Sequence, residues 1–406
     1  MVENARTLER SILGAWQSNE TEPASSPPQV IVPTRADGTM DLEARIQVAQ
    51  CRESAARVVD LFDSLLMEWM LVLNPRYKLD AKGLEARFSE FRREYLRGRA
   101  PEDAGSWVLY PNNALLHLLS PDDHYLLRTS RNLGLFTPEE QARIRSARVA
   151  VGGLSVGGLC ATTLAMEGVR KFYLTDFDKL SCSNLNRLAS SMSKVGVYKT
   201  NIVAEKIWDI DPFAEVVVNP DGYSPSNDEE LFRAENRPDV FIDAMDSMEA
   251  KIAVREACRK YRVPVVWMMD IGDGLVQIGA ERYDRDDSYP AFHGRIADME
   301  RRLARPLDYV ESLLSIINPD WLPYRFADSF QQACKSQWPG VSQLAGTVSI
   351  AAGAIARTAR RVLMDEDVVP EFVIDVDEGA DPEHRVRRAR GQAQTREFLK
   401  GLGMAG

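Results

Sequence analysis

Between Arg148 and Met269 the chain alternates short apolar runs with longer amphipathic stretches. Val149–Val151, Phe172–Asp176, Glu215–Val218, Val240–Asp243 and Val263–Met269 are short and rich in β-branched or aromatic residues, so they read as strands. The stretches Leu159–Gly168, Thr200–Ile210, residues 228–235 and residues 248–261 read as helices. Parallel neighbours need a crossover, and the usual crossover is a helix. The alternation therefore predicts an α/β unit with a doubly wound, mainly parallel sheet.

Outside this stretch the pattern is looser. Leu275–Tyr283 predicts a further strand, residues 296–337 a mostly helical and irregular stretch, Val341–Met364 a long Ala-rich helix and Phe372–Val376 another strand. Upstream, apolar residues recur at helical spacing across Asp41–Leu73 (Ile46, Val48, Val58, Val59, Leu61, Leu65, Trp69), and Gly83–Arg97 predicts a second amphipathic helix. Trp107–Pro111 reads as extended, and Thr137-Pro138-Glu139-Glu140 supplies an N-cap, a first-turn proline and a capping glutamate for the next helix. The expected organisation is a flexible Ser/Pro-rich segment over residues 1–40, a mostly helical domain over 41–130, the α/β unit over 131–380 and a polar tail over 381–406.

Composition narrows the function. The 406 residues carry 50 Lys+Arg against 60 Asp+Glu, a formal net charge of −10, with 45% hydrophobic positions. That balance suits a soluble globular protein and argues against nucleic acid as the main partner, since phosphate binding needs a basic face. The basic stretch Arg385–Arg390 reads as a solvated face. Cys51, Cys160, Cys182, Cys258 and Cys334 form no C-x-x-C pair, so no zinc is expected and the cytoplasm is the expected compartment. Met1–Leu13 lacks a hydrophobic core of the signal-peptide kind. The longest small-apolar run, Ala345–Ala356, is shorter than the roughly 20 residues that span a bilayer, so no membrane association is expected.

Candidate chemistry begins where the first strand of the unit runs into Gly152-Gly153-Leu154-Ser155-Val156-Gly157-Gly158 and then a helix. Framed as G-x-G-x-x-G, the positions are Gly153, Ser155 and Gly158, a Rossmann-like turn with Ser in place of the central glycine. Backbone N–H groups at a helix start face an anionic phosphate chain. The next strand ends at Asp176, where a carboxylate can take ribose hydroxyls. To this point a nicotinamide-dependent oxidoreductase and an ATP enzyme fit alike. Asp178, Ser183-Asn184-Leu185-Asn186-Arg187, Lys199 and Asp243-Ala244-Met245-Asp246 favour the second, because charge moving onto pyrophosphate needs fixed cations and a metal-holding carboxylate.

This ordered set resembles the ThiF/MoeB/HesA family, the adenylating superfamily that includes ubiquitin-activating enzymes, over Arg131–Met364. The resemblance implies ATP and Mg²⁺. It puts Asp176 on the ribose, Asp178, Asn184 and Arg187 around the phosphates, Lys199 on the phosphate chain, and Asp246 on Mg²⁺. It implies a homodimer in which Arg131, with Arg128 as competitor, reaches the partner's ATP. It also implies a carboxylate substrate, the C-terminus of a ubiquitin-like protein or a peptide. Two departures stand out, Ser155 and the missing paired C-x-x-C zinc site. Some relatives pass the acyl group to a thiol, and Cys334, beside Lys335, is the thioester candidate. A non-catalytic dimeric scaffold of the same fold is the remaining alternative.

Overall fold

The structure, a computed structural model, describes residues 26–35, 37–79, 81–296, 316–317, 321–334 and 341–401. Its N-terminal part runs β1 (Gln29–Ile31), α1 (Leu42–Ser54), β2 (Arg57–Asp60), α2 (Phe62–Leu73), α3 (Leu84–Leu96), β3 (Ser106–Leu109), β4 (Ala114–Leu118) and α4 (Pro121–Arg128). The four strands form a sheet in the order β1-β3-β4-β2, with β2 parallel to β4 and the other pairs antiparallel. Helices and a four-stranded sheet together make up this part, and the sheet corrects two details of the sequence expectation. Val58 and Val59 belong to a strand that divides the helical stretch Asp41–Leu73. Gln29–Ile31, inside the segment expected to be flexible, is paired with β3 and buries Ile31. Strands of three or four residues are too short to show a two-residue period, so the helical spacing around them prevails in the sequence.

The α/β unit follows: α5 (Pro138–Ser146), β5 (Arg148–Gly152), α6 (Val156–Glu167), β6 (Lys171–Thr175), α7 (Lys199–Ile210), β7 (Glu215–Asn219), β8 (Val240–Asp243), α8 (Met248–Tyr261), β9 (Val265–Asp270), β10 (Leu275–Glu281), α9 (Tyr324–Cys334), α10 (Ala345–Leu363), β11 (Glu371–Asp375) and α11 (His384–Gly401). α5 opens as its sequence dictates: Thr137 Oγ1 accepts from Glu140 N–H, and the Glu140 carboxylate accepts from Thr137 N–H. The helix expected over 228–235 shrinks to one turn, Asp228–Leu231.

The seven strands order as β11-β10-β9-β8-β5-β6-β7, parallel from β9 to β7, with β10 antiparallel to both its neighbours. Val149 and Val151 of β5, Val240 and Ile242 of β8 and Val266 of β9 pack on one face against α6, α7 and the Ala-rich α10. Ala150, Phe241, Val265 and Trp267 pack on the other against Val254, Ala257 and Cys258 of α8. Small residues on α6 and α10 let both helices seat close to the sheet, and burial on both faces explains the unbroken apolar strands. The polar tail is a helix, α11, anchored where Thr395 Oγ1 donates to the carbonyl of Leu322 at 3.0 Å in a buried position. Among the described residues, no helix is long and apolar enough to cross a membrane.

From β5 the chain proceeds to β6 and β7 on one side, then returns to β8 and β9 on the other. The strand order reverses between β5 and β8, and the crevice outside their carboxyl ends is where such sheets take ligands.

Candidate functional site

The turn after β5 is held from both flanks. Gly153 N–H donates to Thr175 O at 3.0 Å, and Ala244 N–H donates to Gly152 O at 2.8 Å, so the turn is tied to the ends of β6 and β8. Gly153 has φ +81°, and a Cβ there would lie 2.3 Å from the Ala244 carbonyl oxygen. Only glycine fits, by conformation and by space. Gly158 serves packing instead: a Cβ would meet Val203 Cγ2 of α7 at 2.7 Å. Ser155 stands at the N-cap of α6 without making a capping hydrogen bond, and its hydroxyl is buried with no partner. A buried donor with no mate at a helix start is a place an anion satisfies.

Asp176 follows β6 and faces this turn. Its Oδ2 accepts Leu154 N–H at 2.6 Å and its Oδ1 accepts Asp178 N–H at 2.8 Å. Burial raises its pKa, against the Lys199 ammonium and the two N–H groups, which favour the carboxylate. Lys199 is the first residue of α7 and only 6% exposed. Its Nζ lies 2.8 Å from Asp178 Oδ2, and its N–H donates to Asp178 O at 2.9 Å. Asp176, Asp178, Lys199 and the glycine turn are thus brought together.

The polar segment between β6 and α7 divides its labour. Asn184 Oδ1 accepts Ser181 N–H at 3.0 Å, capping the turn Cys182–Asn186. Arg187 Nη1 donates to Asn186 Oδ1 at 2.8 Å, and Asn186 Nδ2 donates to Gln343 O at 2.8 Å, just before α10. Asn186 therefore orients Arg187, a role its place in the Ser183–Arg187 run hints at but does not specify. Arg187 Nε is buried without a partner. Burial depresses the Arg187 pKa, while the carboxylates of Asp246 and Asp270 pull it upward. Those two acids come from the ends of β8 and β9, so three charges from three loops converge.

Asp246 is exposed in the β8–α8 loop, and the cap of α8 is Ser247, whose Oγ accepts Ala250 N–H at 3.2 Å. Asp243 is a brace. It is fully buried, with Oδ1 3.1 Å from Lys251 Nζ and Oδ2 2.6 Å from Arg255 Nη1, and Arg255 Nε lies 2.8 Å from Glu281. Asp243 Oδ1 also accepts Met245 N–H at 3.1 Å, which fixes the loop that carries Asp246. Asp270 is the site residue sequence reasoning missed. Its Oδ1 accepts Gly272 N–H at 3.2 Å, its Oδ2 is buried with no partner, and burial lifts its pKa to about 6 against that N–H and Arg187.

Arg131 is not at this site within its own chain. It is exposed in the turn Ser130–Asn132, and Asn132 Nδ2 donates to Glu167 O at the far end of α6, one helix length of about 18 Å from the glycine turn. Its competitor Arg128 is engaged: Nη1 donates to Ala165 O at 2.7 Å and Nη2 lies 3.0 Å from Asp211, which Arg170 also holds at 2.7 Å. Cys160 and Cys258 are buried, and burial pushes both thiols up. Cys182 is exposed, and the Cys334 side chain lies outside the described residues.

The chain resembles three proteins over parts of its length. It is 34% identical over 270 residues to the uncharacterised protein MT1398 of Mycobacterium tuberculosis, covering 65% of this chain and 37% of that one. It is 31% identical over 147 residues to a tRNA threonylcarbamoyladenosine dehydratase of Haemophilus influenzae, covering 36% and 55%. It is 27% identical over 138 residues to the ubiquitin-like modifier-activating enzyme 5 of Caenorhabditis elegans, covering 32% of each. The chain spans between about a third and just over half the length of these curated relatives. The model of the ThiF family matches residues 128–369, more than half the chain and all of the site built above, and the protein belongs to that family.

Proposed function

We propose that this protein activates a carboxylate with ATP, forming an acyl-adenylate and releasing pyrophosphate. The observation that carries the reading is the coupling of Asp176 to Leu154 N–H beside the buried, unpartnered Ser155 hydroxyl, in a ThiF-family chain. In this reading Asp176 binds the ribose, and the Gly153–Gly158 turn with Ser155 takes the phosphates. Lys199 turns from Asp178 to the phosphate chain, Asn184 shapes the adjoining turn, and Arg187 neutralises charge near the α-phosphorus. A substrate carboxylate oxygen attacks that phosphorus in line, and the bond to pyrophosphate breaks. Losing one such electrostatic contact costs about 10²- to 10³-fold in rate.

Among the described residues no three ligating side chains gather into a metal cluster. The exposed Asp246 carboxylate suits Mg²⁺, which typically takes one or two protein carboxylates and completes its shell with phosphate oxygens and water. Bound there, Mg²⁺ supplies charge neutralisation on the phosphates.

The substrate is the C-terminal carboxylate of a ubiquitin-like protein or a peptide, in keeping with the name of the modifier-activating relative. A tRNA substrate, as in the name of the dehydratase, is disfavoured by the formal net charge of −10. The working form is a homodimer in which Arg131 serves the site of a second copy. Use of ATP, together with free thiols at the described cysteines, suits the cytoplasm.

The test is ATP–pyrophosphate exchange with ubiquitin-like proteins ending in Gly-Gly and with a random peptide pool bearing free C-terminal carboxylates, C-terminally amidated peptides serving as control. Exchange is expected only with free carboxylates, and Lys199→Ala and Asp246→Ala each abolish it while circular dichroism is unchanged. An unchanged exchange rate in both variants overturns the assignment.

A further inference from the structure

Asp270 takes no direct part in the adenylation chemistry above and bears on it only through the field it shares with Arg187. ATP and a carboxylate are both anions, and a buried carboxylate oxygen without a partner repels both. Yet Asp270 sits at the carboxyl end of β9, beside the β8 end that carries Asp246, and shares the field of Arg187. One oxygen is anchored by Gly272 N–H, and that turn is itself pinned to α10, because Thr347 Oγ1 donates to Gly272 O at 2.8 Å and accepts Gly274 N–H at 2.9 Å. The other oxygen is buried and unmatched in a rigid setting. Such an oxygen serves a reactant that brings a proton or a positive charge.

We propose that Asp270 Oδ2 is the proton acceptor for an amine that attacks the acyl-adenylate, so that the acceptor of the activated acyl group is a primary amine and the product an amide. This rests on the adenylation reading above. The amine nitrogen bonds to the acyl carbon, the bond from that carbon to the AMP phosphate oxygen breaks, and AMP leaves with the electron pair. The proton shed by the nitrogen passes to Asp270.

A thiol acceptor fits the place poorly. Thiols attack as thiolates, and an unpaired carboxylate in the same crevice raises a thiol's pKa and repels the thiolate. Among the described residues, the groups facing Asp270 are Arg187 from the turn before α7, Asp246 from the β8–α8 loop across Arg187, and the Thr347 hydroxyl of α10 at the adjoining turn. A carboxyl group lifted to about 6 by burial is well matched to take a proton near neutral pH.

The experiment uses the full chain and the peptide pool, comparing ethanolamine with 2-mercaptoethanol as acceptors and reading ethanolamide and thioester by mass spectrometry. Asp270→Asn keeps shape and the Gly272 contact. It is expected to lower ethanolamide formation about 10²-fold or more, to lower pyrophosphate exchange far less, and to leave or raise thioester formation. Wild-type ethanolamide formation rises with pH along a limb near the Asp270 value, and the variant lacks that limb. Equal loss with both acceptors overturns the proposal and makes Asp270 a support for Arg187. Undiminished ethanolamide formation also overturns it. Absence of exchange in the wild type marks a failure of the adenylation reading, and the amine step falls with it. Exchange that persists while only ethanolamide formation is insensitive to Asp270 isolates the failure to the amine step.

Discussion

Leu154 N–H donates to Asp176 Oδ2 at 2.6 Å, joining the glycine turn after β5 to the carboxylate after β6. The two parts that in the proposed reaction hold phosphate and ribose are therefore one rigid piece. Asp176 cannot shift without disturbing the N-terminus of α6, which is the kind of preorganisation that electrostatic catalysis depends on.

That piece separates binding from folding in mutants of the turn. The Ser155 hydroxyl has no partner among the described residues, so Ser155→Ala should leave the melting temperature unchanged. A hydrogen bond to a charged group is worth about 1.5–3 kcal/mol, so the ATP KM should rise roughly tenfold to a hundredfold. Gly153→Ala should do the reverse first: strain at φ +81° and the clash with Ala244 O lower the melting temperature by several degrees before any kinetic effect is read. Thermal melts and exchange kinetics on the two variants check both, and an unchanged ATP KM in Ser155→Ala removes the hydroxyl from the phosphate site.

The two N-terminal arginines should part in the same way. Arg128 closes the carbonyl end of α6 and pairs with buried Asp211, so Arg128→Ala should lower the melting temperature. Arg131 is exposed, and Arg131→Ala should leave the melting temperature alone while lowering exchange. If Arg131 acts on the partner's site, mixing inactive Arg131→Ala with inactive Lys199→Ala restores up to about a quarter of wild-type sites, because each mixed dimer rebuilds one intact site. No recovery after subunit exchange counts against action across the dimer.

Asp243 should govern stability and loop position together. Removing one member of a buried ionic cluster costs about 3–5 kcal/mol, so Asp243→Asn should melt well below wild type and release the loop that carries Asp246. Burial raises the Asp243 pKa, but Lys251 and Arg255 outweigh burial and leave it below the usual 3.8. With the folded value depressed, the contribution is full above the unfolded value and is lost as pH falls through the folded one. Wild type minus variant stability, measured by denaturant melts, should thus be flat from pH 7 to about 5 and shrink below about pH 4. A difference that grows in acid contradicts the assignment.

Much of this was legible in the chain. β5, β6, β8 and β9 announce themselves because strands buried on both faces are continuous apolar runs, β7 shows at the sheet edge through its run of three valines, and the Thr137 capping box states the start of α5 outright. β1 and β2 were not legible, being too short for a two-residue alternation to repeat. α11 was hidden because its polar, basic residues carry no apolar stripe. Asp176 and Lys199 could be found by their spacing from the glycine turn. Asp270 could not, since in sequence it is only an acid ending a strand. Its meaning comes from an arginine on a distant loop and from burial, and neither is local. Arg128 and Arg131 lie three positions apart and differ only in what the fold places beside them.

The Arg128–Asp211–Arg170 joint bears on where a working fragment can start. Arg170 Nη2 also donates to Pro121 O at 3.0 Å, so α4 contributes both a cation and a carbonyl to a buried charge in the α/β unit. A fragment beginning at Arg131 would strand Asp211 with one counter-ion and take the Arg128 guanidinium away from the Ala165 and Met166 carbonyls at the end of α6. The smallest piece able to keep the glycine turn in register begins at or before Pro121, upstream of the α/β unit itself.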